Sequence, residues 1–178
     1  MKKLMKLALV AVLALSATTV FGQKFGRVDL AAIVPNMPEY QEAVANLETY
    51  GKDLQDQLEQ IMVEFNTLYA NYEKSAATMT DSVRQLKERE LAELQQRYQD
   101  FSQIAQQDIQ RKETELMTPI YTKADEAVKT VAKNGGYIAI FNTAGGNASS
   151  AGLAYFDANQ LVDITAAVAK QLGVELAK

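Results

Sequence analysis

Between positions 40 and 72, apolar or small residues fall at Tyr40, Val44, Leu47, Gly51, Leu54, Leu58, Ile61, Phe65, Leu68 and Tyr72. The steps alternate between four and three throughout, which is the heptad spacing of one continuous helical seam. Glu, Gln, Asp, Asn and Lys fill most positions between, so the rest of that surface is built for water. Asn36-Met37-Pro38-Glu39 supplies a start, with Asn36 as cap, Pro38 in the first turn and Glu39 reaching back. A helix from Pro38 to Lys74 is about 55 Å long at 1.5 Å per residue. A chain of 178 residues cannot hide that length in a compact domain, so the helix must project.

A small, polar break follows, SAATMTDS over residues 75–82, in which Thr80 or Ser82 can cap the next helix. Residues 83–117 are again long, polar and periodic, striped by Val83, Leu86, Leu91, Leu94, Tyr98, Phe101, Ala105, Ile109, Leu116 and Met117. Steps of five at Leu86–Leu91 and seven at Ile109–Leu116 loosen that stripe, so the supercoil is expected to relax along the return. A short break between two long helices of similar length makes an antiparallel hairpin over 38–117.

The flanks read differently. KFGRVDL, residues 24–30, looks like a short strand, and Asp29 caps a brief apolar turn from Leu30 to Val34 that Pro35 stops. Thr118-Pro119 restarts a helix that Asn134-Gly135-Gly136 ends. YIAIF, Tyr137 to Phe141, is a continuously apolar strand expected to be buried on both faces. After the loop NTAGGNASSAG, Leu153 to Phe156 reads as a further strand. Asp157 and Gln160 then bracket a last helix over about 158–172, closed by Gly173.

The fold class expected is α+β, mainly helical. A small β body, residues 24–37 plus 118–178, carries an inserted antiparallel coiled-coil hairpin. A body of about 75 residues has a marginal core, and a three-stranded sheet leaves two edges unpaired. Both features predict association through the sheets, with the hairpins projecting from the assembly.

Residues 1–22 read as an export signal: Lys2, Lys3 and Lys6, then an apolar run from Leu7 to Leu15, with cleavage expected after Gly22. The run is shorter than the roughly 20 residues of a spanning helix. Periplasmic location is the expectation that follows.

There is no Cys and no His. Thiol chemistry, disulfides, imidazole catalysis and the common zinc sites are therefore excluded. Neither GxxxxGK[ST] nor GxGxxG occurs, so no nucleotide cofactor is expected. Nearly all carboxylates fall on solvated helix faces, and the chain reads as a non-enzyme without metal or cofactor. Beyond residue 22 there are fifteen basic and twenty-two acidic residues, a net charge of −7 that argues against nucleic acid as a partner.

In this order the parts resemble the Skp/OmpH family of periplasmic chaperones for outer-membrane proteins. The carriers are KFGRVD, the link IVPNMPEYQEA and the turn and return MTDSVRQLKERELAELQQRYQDF. GGYIAIFN and LAYFDANQLVDITAAVAKQLG complete them, and D-I-T-x-x-V-x-K-x-L is the most specific segment. The resemblance implies a homotrimer with a barrel-like body and three tentacle hairpins around a cavity that holds an unfolded outer-membrane protein without ATP. It implies a trimer body built from Phe25, Val28, Tyr137 and Ile138, together with Ile140, Phe141, Leu153 and Tyr155.

One departure from that family concerns charge. Its best-known members are basic, whereas residues 38–117 here hold eight basic and sixteen acidic side chains, a net −8. The remaining mature chain is +1. A basic patch for lipopolysaccharide or a membrane surface is therefore not carried over. Acidic hairpins repel one another and favour clients with basic segments.

Client contacts are expected at apolar groups off the main seam: Tyr50, Met62, Val63, Tyr69 and Met79. Aromatic and Met side chains suit adaptable contacts. The plainer alternative is packing against the return helix. Gly51, the one weak seam member, is a candidate hinge or a point of close helix approach. Asp81-Ser82-Val83 and Asn147-Ala148-Ser149 match glycosylation acceptor patterns, with capping and loop composition as the simpler accounts.

Two functions compete. One is an ATP-independent holdase for outer-membrane proteins. The other is a structural coiled-coil adaptor of the envelope, which would want a regular seam on both helices. The loose return helix favours the holdase.

Overall fold

The computed structural model describes residues 24–146 and 148–176. The export signal read at 1–22 and Asn147 of the acceptor pattern lie outside the described residues. The elements run β1 (Phe25–Val28), α1 (Leu30–Ile33), a 3-10 turn at Val34–Asn36, α2 (Pro38–Ser75) and a 3-10 turn at Ala76–Thr78. Then come α3 (Asp81–Gly135), β2 (Ala139–Asn142), 3-10 turns at Ala144–Gly146 and Ala148–Ala151, β3 (Val162–Asp163) and α4 (Thr165–Leu172). Among the described residues no helix is long and apolar enough to cross a membrane.

The three strands form one parallel sheet in the order β2-β1-β3. Gly26 is what lets β1 sit between its neighbours. A Cβ there would lie 2.7 Å from Ile140 Cδ1 and 3.0 Å from the Val162 carbonyl oxygen. Val28 and Gly26 face the interior, where Val28 joins Ile33, Ala127, Ile164, Val168 and Ala169 in one core cluster. A second cluster, Val34, Met37, Ala43, Ile120, Ala124 and Val174, joins the hairpin root to the 3-10 turn after α1 and to the chain just past α4. Thr165 Oγ1 accepts from the Asp29 amide, and Asp29 Oδ1 caps α1 by accepting from the Ala32 amide.

Several sequence expectations need correction. Asn36 does not cap α2; its Nδ2 donates to the Ala32 carbonyl, and Met37 occupies the cap position without a side-chain bond. Of the two caps expected for α3, Thr80 and Ser82, Thr80 is the one in place, with Oγ1 accepting from the Val83 amide at 3.4 Å. There is no restart at Thr118-Pro119, because α3 runs unbroken through the proline. An interior proline costs about 3 kcal/mol. Burial of Ile120 and Ala124 against the hairpin root offsets it, while Thr118 and Thr122 hydroxyls donate to the carbonyls of Thr114 and Thr118.

The strand expected at Tyr137–Phe141 starts two residues later and is not buried on both faces. Gly136, at φ +66°, ends α3, and the Tyr137 amide still donates to the Ala132 carbonyl, so Tyr137 belongs to the helix end. β2 is a sheet edge, and Ile138 beside it is 62% exposed. Leu153–Phe156 pairs with nothing as a strand; the third strand is Val162–Asp163, from a stretch read as helix. Asp157 instead closes a local turn, accepting from the Asn159 amide on Oδ1 and from the Gln160 amide on its carbonyl. The Ile164 amide donates to the Arg27 carbonyl, which holds the chain extended until α4 begins at Thr165.

Candidate functional site

The hairpin is antiparallel, and four cross-helix polar contacts fix its register. Glu39 meets Lys123, Tyr50 meets Asp108, Glu64 meets Arg97 and Tyr72 meets Glu88, so one partner number falls as the other rises. Leu54 and Ile61 of α2 are buried with Leu94 and Ala105 of α3 along the seam. With carboxylates in excess, tyrosine hydroxyls take part in work that lysines do elsewhere. Tyr72 donates to Glu88 at 2.8 Å, and that bond to a carboxylate raises the phenol's pKa, as the bond to Glu73 raises that of Tyr69.

The five expected contact residues separate into different environments. Tyr50 is half-buried and donates to Asp108 Oδ2 at 3.4 Å, so it packs against the return helix. Met62 and Tyr69 are exposed on the same flank of α2 as Phe65, and the Tyr69 and Phe65 rings stack at 6.2 Å. Met62, Phe65 and Tyr98 line a groove of about 310 Å3 whose rim is the uncharged amides of Gln95 and Gln99. Val63 is exposed and lines none of that groove. Met79 is half-buried at the hairpin tip.

Sequence reasoning missed other exposed apolar groups. The spacing places Leu86 and Val83 on the return stripe and Val44 on the α2 seam, yet all three are exposed. The five-residue step to Leu91 was the signal that Leu86 lies off the seam. Ile104, 51% exposed, is turned outward because Ala105 takes the seam position beside it. Gly51 lies in unbroken helix, and a Cβ there would meet nothing within 4 Å. Close helix approach is therefore not its role.

The expected body residues also differ in use. Val28 and Ile140 are spent in the chain's own core, and the Tyr137 ring carries Lys24 Nζ 4.1 Å above its centroid. Phe25 and Phe141 stack at 6.3 Å. Leu153 is half-buried, while Ile138 and Tyr155 project, Tyr155 at 79% exposure. Among the described residues no group of three or more acidic side chains is arranged to hold a metal ion.

Residues 24–172 match the family model described as outer membrane protein (OmpH-like). The chain is 27% identical over 172 residues to chaperone protein Skp of Yersinia enterocolitica, covering 97% of this chain and 99% of that one. It is 27% identical over 161 residues to chaperone protein Skp of Pectobacterium atrosepticum, covering 90% and 92%. With chaperone protein Skp of Photorhabdus laumondii it shares 26% over 138 residues, covering 77% and 84%.

Proposed function

The chain belongs to the outer membrane protein (OmpH-like) family, and from that membership we propose that it is an ATP-independent holdase chaperone of the periplasm. Its clients are unfolded outer-membrane β-barrel proteins. The carrying observation is the match, end to end, to relatives named as chaperones. The working unit is a homotrimer. The body, residues 24–37 plus 118–178, trimerises through the open sheet edges and the projecting Ile138 and Tyr155. The hairpins, 38–117, enclose the client.

Exposed apolar side chains spread along a polar hairpin support this reading. Each offers a weak, adaptable contact, and many such contacts hold an unfolded chain without selecting one fold. No chemistry on the client is needed, so the protein acts by occupancy and not as an enzyme.

The test is the native mass of residues 23–178 by light scattering, alone and with a urea-diluted barrel protein. A trimer that gains one client and keeps it soluble is expected. A monomer or dimer that ignores the client overturns the proposal and leaves a coiled-coil adaptor.

A further inference from the structure

We infer that the α3 flank of the hairpin selects unfolded segments in which apolar residues are interspersed with lysine or arginine. This rests on the holdase reading and adds what kind of segment is held. Between α2 and α3 lies a cleft of about 590 Å3 with Leu68 and Leu94 among its apolar lining and Glu90 and Glu93 among its acidic lining. A second hollow continues it along α3, lined by Glu93, Asp100, the exposed Ile104 and Arg97, the cation that borders both hollows.

Local cations do not neutralise this strip. Arg97 is held by Glu64, and Lys87 is held by Glu90 at 2.7 Å. Glu93 and Asp100 form no ion pair among the described residues; Asp100 accepts only a neutral amide bond, from Gln96. They are two helical turns apart, so they share one face of α3. Around them the whole hairpin carries sixteen acidic against eight basic side chains.

Apolar contact alone would not discriminate by charge. Apolar floor and unneutralised carboxylates together do. A lysine or arginine can lay its aliphatic stem along Leu68, Leu94 or Ile104 and place its charge at Glu93 or Asp100. An acidic segment of equal hydrophobicity meets the same floor inside a repulsive field. The occupant is therefore a basic, apolar stretch of an unfolded chain.

Two labelled peptides of identical apolar content, one with lysine and one with glutamate between the apolar residues, test this by fluorescence anisotropy with the mature protein. The lysine peptide should bind about tenfold tighter at low salt, a difference of about 1.4 kcal/mol. The preference should shrink several-fold in Glu93→Gln/Asp100→Asn and vanish near molar salt, where the Debye length is about 3 Å. Equal binding of both peptides, or a preference that survives the double variant unchanged, overturns the inference. Aggregation suppression of a urea-diluted barrel protein is scored in parallel. Suppression without charge preference sinks only this inference, whereas charge preference without suppression sinks the holdase reading alone.

Discussion

Arg27 on the central strand and Asp163 on β3 form an ion pair at 2.7 Å, Nη2 to Oδ2, across adjacent parallel strands in register. Partial burial pushes the Asp163 carboxyl up. Hydrogen bonds from Thr165 and the Arg27 charge outweigh that and hold it below the ordinary aspartate value. β3 has two residues, so this pair and the Ile164 amide bond to Arg27 do much of its anchoring.

The sign of the pH dependence follows. A depressed folded pKa contributes stability above the unfolded value of about 3.9, and that contribution is lost as pH falls through the folded value. Asp163→Asn should cost about 1 kcal/mol or less at pH 7, since both partners are partly solvated, and should flatten the acid limb of the stability curve. Urea midpoints from pH 7 down to about 3 check this. An acid limb identical to the parent would rule the pair out as its source.

Tyr50 should separate from Met62 and Tyr69. Tyr50→Ser removes a half-buried ring and its bond to Asp108, and should cost about 1–2 kcal/mol of stability. Met62→Ser with Tyr69→Ser should leave the melting temperature within a few degrees, because both side chains are exposed. That pair should instead weaken aggregation suppression several-fold. Thermal melts and a light-scattering assay on the same three proteins decide between these roles.

Two glycines should respond oppositely to alanine. At Gly51 the new methyl meets nothing within 4 Å, so the helix gains about 1 kcal/mol, or about 2–4 °C. At Gly26 the methyl would collide with Ile140 Cδ1 and crowd the Val162 carbonyl, costing about 1–3 kcal/mol. Spin labels at Ser75 in a cysteine-free background report the hinge: a tip-to-tip distance distribution unchanged in Gly51→Ala would remove Gly51 as one.

At the hairpin tip, Thr80→Ala should cost about 1 kcal/mol through loss of the bond to the Val83 amide. Ser82→Ala should be nearly silent, since it changes an exposed side chain that is not the cap. Amide exchange over residues 81–86 reads the difference, and equal fraying in both variants would contradict it.

The hairpin was legible in the sequence because its seam is one-dimensional. Four-three spacing from Tyr40 to Tyr72 needs no partner to be recognised, and Leu54 and Ile61 are buried as that spacing requires. Thr80 was visible as one of two caps. The body was read less well because its short strands are decided by contacts distant in sequence. Val162-Asp163 becomes a strand only because the Gly26–Arg27 edge is there to pair with it. Leu153 to Phe156 has strand composition but no neighbour on the sheet. Pro119 reads as a boundary in the sequence, and packing of Ile120 and Ala124 at the hairpin root, a contact distant in sequence, favours the unbroken helix. At the candidate site, Met62 and Tyr69 could be picked as apolar residues off the seam, and Ile104 could not, because its exposure depends on which of two adjacent residues takes the seam.

Phe25 pairs with Ala139, so the central strand waits for a neighbour more than a hundred residues away. For a flexible chain, closing so long a loop is an entropic obstacle to folding. The inserted hairpin removes most of it. A seam that zips from the Ser75–Thr80 tip brings the two ends of the insertion closer with each added turn. When the root contacts form, β1 and β2 are delivered side by side and the effective loop is short. The length of the hairpin is then kinetically almost free. Matched heptads could be added to or removed from both arms without slowing assembly of the body, which leaves the reach of the arms open to change independently of the fold that carries them.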